Sequence, residues 1–474
     1  MAVQIPFATV SKLHEAKVIE DIFFTGLLQQ CQVQENEPKW LQNVRQQSKN
    51  WLSRLSVPTN KDEDWRFIDL SSLSKAKFVA ASNVGANSET VAVGGFTDIS
   101  KLRKDPASPL GARECFPMSN PKGCSPTPET ENSRLVFVNG RYNAELSNIS
   151  GLPTGIYVGS LDDLPKDCDA SKYFAQQHGA EDAFTALNTA GGSDVAVIWT
   201  SKDVVVETSI HLVFVADGES ESIFAQPRTL VVTENGSNIS LIEEYIGTGE
   251  YFTNAVTEVF VKDNARVNHT RLQQESAASF HIGKTAVSQA RDSHYTINEI
   301  NLGAKLFRHN PEVLQQGEQT ESNLNGLTVA TQEQVSDTHS IIALTKPHGN
   351  TDQLHKCIVG DRAHTVFNGK VFVPKEAQLT DATQLNRNLL LSSKARVDTK
   401  PELQITADNV KCAHGATVSQ LEAEEIFYLR SRGLNEADAN QLLIDAFAAE
   451  IVDRIPLESL RSRITQTIEQ KINI

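Results

Sequence analysis

The sequence has little cysteine, methionine and aromatic content, and its cations are outnumbered. Among 474 residues there are six Cys, two Met and 7% Phe, Trp and Tyr, with 44 Lys and Arg against 59 Asp and Glu. The net charge of −15 argues against a nucleic-acid binder, because phosphate neutralisation needs clustered cations. An anionic membrane surface is disfavoured for the same reason, so neither nucleic acid nor membrane is expected as a partner.

Long apolar runs and closely spaced cysteines are also absent from the sequence. No stretch reaches the roughly 18 apolar residues that span a bilayer, and residues 1–13 lack the apolar core of a secretory signal. A secreted disulfide framework would be denser and the chain shorter. The cysteines contain no Cys-x-x-Cys pair and are Cys31, Cys115, Cys124, Cys168, Cys357 and Cys412. We therefore expect a reducing compartment, either cytoplasm or, as the alternative, plastid stroma.

Composition divides the chain into four segments. Residues 1–80 carry apolar residues at a helical period and predict an N-terminal helical region. Residues 81–194 are rich in Pro, Ser and Gly in their first half, which indicates a linker followed by a mixed segment. Residues 195–411 contain ten or more short β-branched runs and predict an all-β core. Residues 412–474 return to a helical pattern and predict a C-terminal helical domain.

The architecture of the β core is left open by its pattern. The dipeptides Asn235-Gly236, Asn325-Gly326 and Asn368-Gly369 predict tight turns between strands. A sandwich of hairpins and a coiled solenoid are both consistent with short strands separated by polar turns. No strict repeat period is present, so the pattern does not decide between them.

The C-terminal segment carries clear helix boundaries. Ser419 and Glu422 form a capping-box pattern, Gly433 predicts a helix end, and Asn435 predicts the cap of a second helix. Pro456 opens a third helix. The apolar positions expected to be buried are Leu421, Phe427, Leu429, Leu443, Phe447, Ile451, Ile455, Leu460, Ile464, Ile468 and Ile472.

A nucleotide site is not expected in this chain. Gly283-Lys284-Thr285 ends like a phosphate-binding loop, but Ala278 occupies the position of the first required glycine. The flanking residues also predict strand followed by strand, whereas a phosphate loop leads from a strand into a helix.

Cys412 and His414 are the strongest chemical candidates. In a strand, residues two apart lie on one face, so a thiol and an imidazole would lie side by side. Such a pair can bind iron or zinc, or activate the thiol. The alternative is a small buried cysteine beside a structural histidine, because two ligands do not complete a metal site. The missing ligands would come from elsewhere in the chain or from another chain. His355 and Cys357 form a similar pair in reverse order.

Catalysis by a covalent hydrolase has little support. The sequence contains neither a Gly-x-Ser-x-Gly elbow nor a His-Glu-x-x-His helix. A stand-alone β-solenoid enzyme that acts on a saccharide-type substrate through scattered acids and bases remains the alternative function.

Seven stretches closely resemble the SufD family of the SUF iron–sulfur cluster assembly machinery. They run through most of the chain and are densest after residue 360. These stretches are Lys61-Asp-Glu-Asp-Trp-Arg66, Asn139-Gly-Arg-Tyr142, Phe367-Asn-Gly-Lys-Val371, Gln384-Leu-Asn-Arg-Asn-Leu-Leu-Leu391, Asp398-Thr-Lys-Pro-Glu-Leu403, Cys412-Ala-His-Gly-Ala-Thr-Val-Ser-Gln-Leu-Glu422 and Ile426-Phe-Tyr-Leu-Arg-Ser-Arg-Gly433. In the related SufB proteins the sixth stretch reads Cys-Glu-His-Glu-Ala and a cysteine precedes the arginine of the seventh. Gly415 and Leu429 occupy those positions here, so the chain resembles SufD and not SufB.

The resemblance implies a mainly β fold, a right-handed parallel β-helix between an N-terminal helical region and a C-terminal helical domain. It also implies a non-catalytic scaffold subunit that pairs with SufB through the β-helices, and with itself when SufB is absent. The ATPase SufC would dock on the C-terminal helical domain and hydrolyse the nucleotide. His414, with Cys412 as its neighbour, would hold a transient iron–sulfur cluster shared with SufB at the interface. The resemblance assigns no role to Cys31, Cys115, Cys124, Cys168 or Cys357.

Overall fold

A computed structural model describes residues 21–31, 37–81 and 133–472. Most of these residues form a β-helix of predominantly parallel strands, with α-helices before and after it along the chain. The predicted fold class, a β-helix between N- and C-terminal helices, is confirmed. Parallel pairing excludes the sandwich of hairpins. Residues 82–132, which include Cys115, Cys124 and most of the predicted linker, lie outside the described residues.

The helices and strands have the following bounds. The helices are α1 (Ile22–Gln30), α2 (Lys39–Leu52), α3 (Ser71–Lys75), α4 (Ala183–Gly191), α5 (Ala423–Ser431), α6 (Glu436–Val452) and α7 (Glu458–Ile472). The strands are β1 (Val79–Ala80), β2 (Arg134–Val138), β3 (Arg141–Tyr142), β4 (Ile156–Ser160), β5 (Ala196–Thr200), β6 (Ile210–Ala225), β7 (Arg228–Thr233), β8 (Asn238–Val261), β9 (Arg266–Gln274), β10 (Phe280–Gln289), β11 (His294–Asn301), β12 (Leu306–Gln315), β13 (Glu321–Ala330), β14 (Val335–Leu344), β15 (Asn350–Val359), β16 (His364–Val373), β17 (Asp381–Leu390), β18 (Arg396–Ile405) and β19 (Lys411–Gln420).

Two parallel sheets make up the walls of the β-helix. The long strand β8 pairs with β9 through its first half and with β10 through its second half. From there β9, β11, β13, β15, β17 and β19 pair in order as the odd-strand sheet. The strands β10, β12, β14, β16 and β18 pair as the even-strand sheet. Strands β18 and β19 are therefore the last strands of the two sheets, and they lie at the same end of the β-helix.

Successive turns of the β-helix differ in length. In-register partners are 26 residues apart between Phe280 and Leu306 but 32 residues apart between His364 and Arg396. This variation explains why the sequence shows no strict repeat. One set of corners is built by residues with positive φ, whose backbone N–H groups each donate to the following turn. They are Asn264, Asp292, Gln319, His348 and Leu379.

Two predicted turns are strand residues in the structure. Asn235-Gly236 does form a turn, and Gly236 has a φ of 74°. Gly326 and Gly369, in contrast, lie inside β13 and β16. A Cβ atom at Gly326 would overlap the ring of His355, and one at Gly369 would overlap the amide of Gln384. These glycines therefore make room for large side chains in the interior and do not turn the chain.

The N-terminal helices cover the outer face of the even-strand sheet. Phe24, Leu73 and Phe184 pack with Phe252 and Phe280 in one apolar cluster. Beyond this cluster, the stretch from Glu63 to Trp65 contacts charged side chains on three later strands of the even-strand sheet. The guanidinium of Arg308 lies 3.9 Å from the Trp65 ring centroid, Asp64 pairs with His339 at 3.5 Å, and Glu63 pairs with Lys400 at 3.0 Å.

The C-terminal helices cover the outer face of the odd-strand sheet. Ile451 and Ile464 pack there against Leu272, Ile300 and Leu327. The predicted cap of α6 is confirmed, because the Asn435 side chain accepts a hydrogen bond from the Asp438 backbone N–H at 2.9 Å. The predicted apolar stripe of α6 is displaced by one residue at its start. Ile444 and Ala448 are buried in the places expected for Leu443 and Phe447.

The capping box predicted for α5 is wrong. Ser419 lies in strand β19, which continues to Gln420, and Glu422 precedes the helix without a side-chain hydrogen bond to it. The predicted burial of α5 is also wrong, since none of its residues is buried and Phe427 is 74% exposed. The boundary proposed at residue 411 falls at the first residue of β19, so this last strand belongs to the predicted C-terminal segment. The domain bounds remain predictions.

Candidate functional site

The candidate site lies at the end of the β-helix that is formed by its last two strands, β18 and β19. Within the described part of the chain, β19 pairs only with β17, and β18 pairs only with β16. Eight of the ten residues of β19 are exposed. A ten-residue strand with an unpaired edge is a template for pairing with another chain. We call this surface, formed by β18 and β19, the open end.

Cys412 and His414 lie on β19, opposite Ala382 and Gln384 of β17. Cys412 is half-buried against the interior apolar core, and His414 is exposed. Because residues two apart in a strand point to one face, the imidazole and the thiol share the interior side of the last turn, as the spacing predicted.

The surroundings of Cys412 favour the protonated form of its thiol. Burial raises its pKa, and the nearby charge of Asp381 raises it further. A protonated thiol is a poor nucleophile, but metal ions bind and stabilise the thiolate form. Across residues 21–31, 37–81 and 133–472, no group of three or more His, Cys, Asp or Glu side chains is arranged to hold a metal ion. The described residues therefore include two candidate ligands at the open end, and not a complete site.

The second candidate pair, His355 and Cys357, is structural. Both side chains are buried on β15. The His355 ring stacks on Phe367 with centroids 5.1 Å apart, and burial lowers its pKa to about 4. Burial raises the pKa of Cys357 to about 12. Cys31, Cys168, Cys357 and Cys412 are all free thiols.

The incomplete phosphate-binding loop lies in a strand, as predicted. Gly283, Lys284 and Thr285 are residues of β10. The ammonium of Lys284 is buried and lies 2.9 Å from the Glu312 carboxylate. Burial and pairing with a carboxylate indicate a structural ion pair, because the lysine of a phosphate-binding loop contacts the phosphate groups of its ligand.

Sequence reasoning missed a set of ionisable residues in the interior of the β-helix, between its two sheets. His269 lies 3.2 Å from Glu243, and Glu299 lies 2.9 Å from His309 and 3.8 Å from Arg271. All five are buried. The only signal for them was alternation of charged and apolar residues within strands, which is also the pattern of a solvated face. Burial alone would raise the pKa of Glu243, but His269 and Arg271 together lower it to about 2.

These buried groups make stability fall in acid. Burial holds the pKa of His355 at about 4 in the folded chain, below its ordinary value of 6.5, so this histidine stays neutral while the unfolded chain takes up a proton. His355 therefore contributes about 3 kcal/mol to the free energy of unfolding above pH 6.5, and this contribution is lost as the pH drops to 4. His309, whose pKa burial also lowers to about 4, adds to the loss over the same range. Glu243 adds a further loss below pH 4.5 as the pH falls towards 2. Urea unfolding at a series of pH values measures both.

A matched histidine variant isolates the contribution of His355. His355→Gln is expected to make the fall in stability between pH 6.5 and 4 smaller but not to abolish it, because burial lowers the pKa of His309 to about 4 as well. His348→Gln, at an exposed corner, is expected to leave the profile unchanged. Equal slopes for the wild-type chain and His355→Gln would contradict the assignment.

An apolar patch is exposed beside the open end. On α5, Phe427 and Tyr428 are both exposed, and Ile426 lines a groove of about 580 Å³ with Leu391 and Ile444. Exposed apolar patches of this kind mark interaction sites on soluble proteins. None of the helices among the described residues is long and apolar enough to cross a membrane.

The chain is thus a β-helical protein with a thiol–imidazole pair on a terminal strand, one edge of which has no partner strand among the described residues. Residues 214–447 match the family described as "SUF system FeS cluster assembly, SufBD core domain", and residues 117–212 match "SufBD protein N-terminal region". The chain belongs to the SufBD family of iron–sulfur cluster assembly proteins, and the predicted resemblance to SufD is confirmed. This family favours cluster assembly over the saccharide-enzyme alternative.

Three relatives cover almost the whole chain. An iron–sulfur cluster assembly SufBD family protein of Synechocystis is 45% identical over 97% of both chains. Protein ABCI7, chloroplastic, of Arabidopsis thaliana is 34% identical over 89% of this chain and 84% of its own. The iron–sulfur cluster assembly protein SufD of Escherichia coli is 31% identical over 90% of this chain and 92% of its own.

Proposed function

We propose that this chain is a scaffold subunit that assembles iron–sulfur clusters together with SufB and SufC. The observation that carries the proposal is the position of Cys412 and His414 on the last strand of the β-helix, which has one edge without a partner strand among the described residues. A thiolate and an imidazole are ligands that iron accepts. At the open end they are available to a cluster that lies between two chains.

The remaining ligands would come from SufB, whose β-helix would pair with the open end. An iron–sulfur cluster as a whole is held by about four protein ligands, and this chain would supply two. The cluster is cargo: it is built at the interface and then passed on. When SufB is absent, a second copy of this chain would pair with the same edge.

SufC would dock on the C-terminal helical domain and hydrolyse ATP there, while this chain catalyses no reaction alone. The exposed patch on α5 supports this role, because none of the residues of this helix is fully buried in the body of the protein. Helices α6 and α7 pack on the odd-strand sheet. A movement of the C-terminal helices caused by SufC would therefore be transmitted to the β-helix. The compartment that we propose is cytoplasm or plastid stroma.

Phe427→Ala is expected to weaken binding of SufC about 10-fold or more, because large exposed aromatic residues at interfaces contribute most of the binding energy. Calorimetric titration of SufC into the purified chain measures the change. The control is Ile149→Ala, which removes another exposed apolar side chain (42% exposed) far from α5 in sequence. Equal affinity of SufC for the Phe427→Ala and wild-type chains would contradict the docking site.

Co-purification tests the scaffold role itself. The tagged chain, expressed with untagged SufB and SufC, is expected to retain both in one complex and to carry a reconstituted cluster. Recovery of the chain alone, with SufB and SufC present in the lysate, would contradict the proposal.

A further inference from the structure

A column of amide side chains leads through the interior to His414. Gln353, Gln384 and His414 occupy the same register position on β15, β17 and β19. The two glutamines are 3% and 1% exposed, and Gln384 is the last buried member of the column before the open end. Neighbouring strands are about 4.8 Å apart, so the side chain of His414 is within reach of the Gln384 amide.

The hydrogen bonds of this column run in one direction. The amide nitrogen of Gln384 donates to Oε1 of Gln353 at 2.8 Å, and the amide nitrogen of Gln353 donates to the hydroxyl of Ser340 at 2.8 Å. The absence of a side chain at Gly369 leaves the space that the Gln384 amide occupies. In an amide the oxygen and the nitrogen point in different directions, so Oε1 of Gln384 does not face Gln353.

The Oε1 atom of Gln384 is buried and has no hydrogen-bond partner within the described residues. Buried polar atoms are nearly always paired, and an unpaired one calls for an explanation. His414 is the residue opposite Gln384 on the next strand, and a ring N–H of histidine is a suitable donor.

We propose that Gln384 is a positioning residue for His414. Its Oε1 accepts a hydrogen bond from one ring nitrogen of His414 once a partner chain covers the open end. The other ring nitrogen then carries no proton and faces the cluster. Histidines that bind metal generally donate their second N–H to a fixed acceptor, which sets the tautomer and the ring orientation. This inference rests on the proposed role of His414.

Three variants separate positioning from a structural role. Gln384→Met removes the acceptor and also breaks the bond to Gln353. Gln384→Glu keeps an acceptor oxygen but loses the donor to Gln353. Gln353→Met breaks the same bond from the other side and leaves Oε1 of Gln384 in place. Each variant is assembled with SufB and SufC, and complex formation and thermal unfolding are measured first.

The measured quantities are cluster yield and the ring-nitrogen hyperfine coupling of the cluster. Gln384→Met is expected to lower the yield about 10-fold and to change the coupling, while Gln384→Glu and Gln353→Met remain near wild type. Equal losses for Gln384→Met and Gln353→Met would overturn the inference, even where Gln384→Glu does not fold. A normal yield for His414→Ala would instead overturn the proposed function.

Discussion

Replacing His414 by alanine is expected to lower the cluster yield of the assembled complex about 10-fold or more. The substitution removes a proposed ligand of the cluster, and a site at the interface would have few ligands to spare. Assembly of the complex should persist, because His414 is exposed and contributes nothing to the core of the isolated chain. Iron and sulfide content, with the visible absorption of the reconstituted complex, measure the yield.

The control for this variant lies three residues further along the same strand. Thr417 is exposed like His414, but its odd spacing places it on the opposite face of β19. Thr417→Ala is expected to keep the wild-type yield. A wild-type yield for His414→Ala, or an equal loss for Thr417→Ala, would remove His414 from the site.

Val418→Glu is expected to prevent pairing of the open end with SufB and to raise the dissociation constant at least about 10-fold. Val418 lies on the same side of β19 as Cys412 and His414 and is 50% exposed. A partner strand would bury this position, and burial of an unpaired carboxylate is costly. Charges on edge strands oppose pairing for this reason. Analytical ultracentrifugation of the mixed chains measures the change.

A second exposed valine provides the control for Val418→Glu. Val205 is 56% exposed and bridges to Asn238, near the start of the solenoid. Val205→Glu introduces the same charge away from the open end and should leave association unchanged. Equal weakening by the two variants would indicate a general effect of charge and not an interface at β19.

The β-branched runs predicted most of the core strands. The pairing of these strands and the length of each β-helix turn could not be predicted from the sequence. Two of the β-branched runs within residues 195–411, at residues 211–215 and 229–233, lie in strands β6 and β7. The turn prediction was wrong at Gly326 and Gly369. An Asn-Gly pair in a sequence does not show whether the glycine is needed for a positive φ in a turn or for the space that a neighbouring side chain occupies. The cap prediction at Ser419 was wrong because β19 extends to Gln420 and so includes the residues that were expected to begin the helix.

The candidate site was predictable in part. The two-residue spacing of Cys412 and His414 correctly predicted one face of a strand. It did not predict that this strand would be the last one, since its position depends on the number of turns that precede it. The sequence did not reveal that Gln384 is a neighbour of His414. The two residues are 30 positions apart, and they are aligned only by the length of the β-helix turn between β17 and β19.

The most direct test of the account is nitrogen spectroscopy on a complex in which only this chain carries [15N]histidine. If His414 binds the cluster at the interface with SufB, pulsed electron paramagnetic resonance of the reduced cluster will show 15N hyperfine coupling. The signal should disappear in His414→Ala. A cluster that shows no 15N coupling from this chain would contradict the central claim.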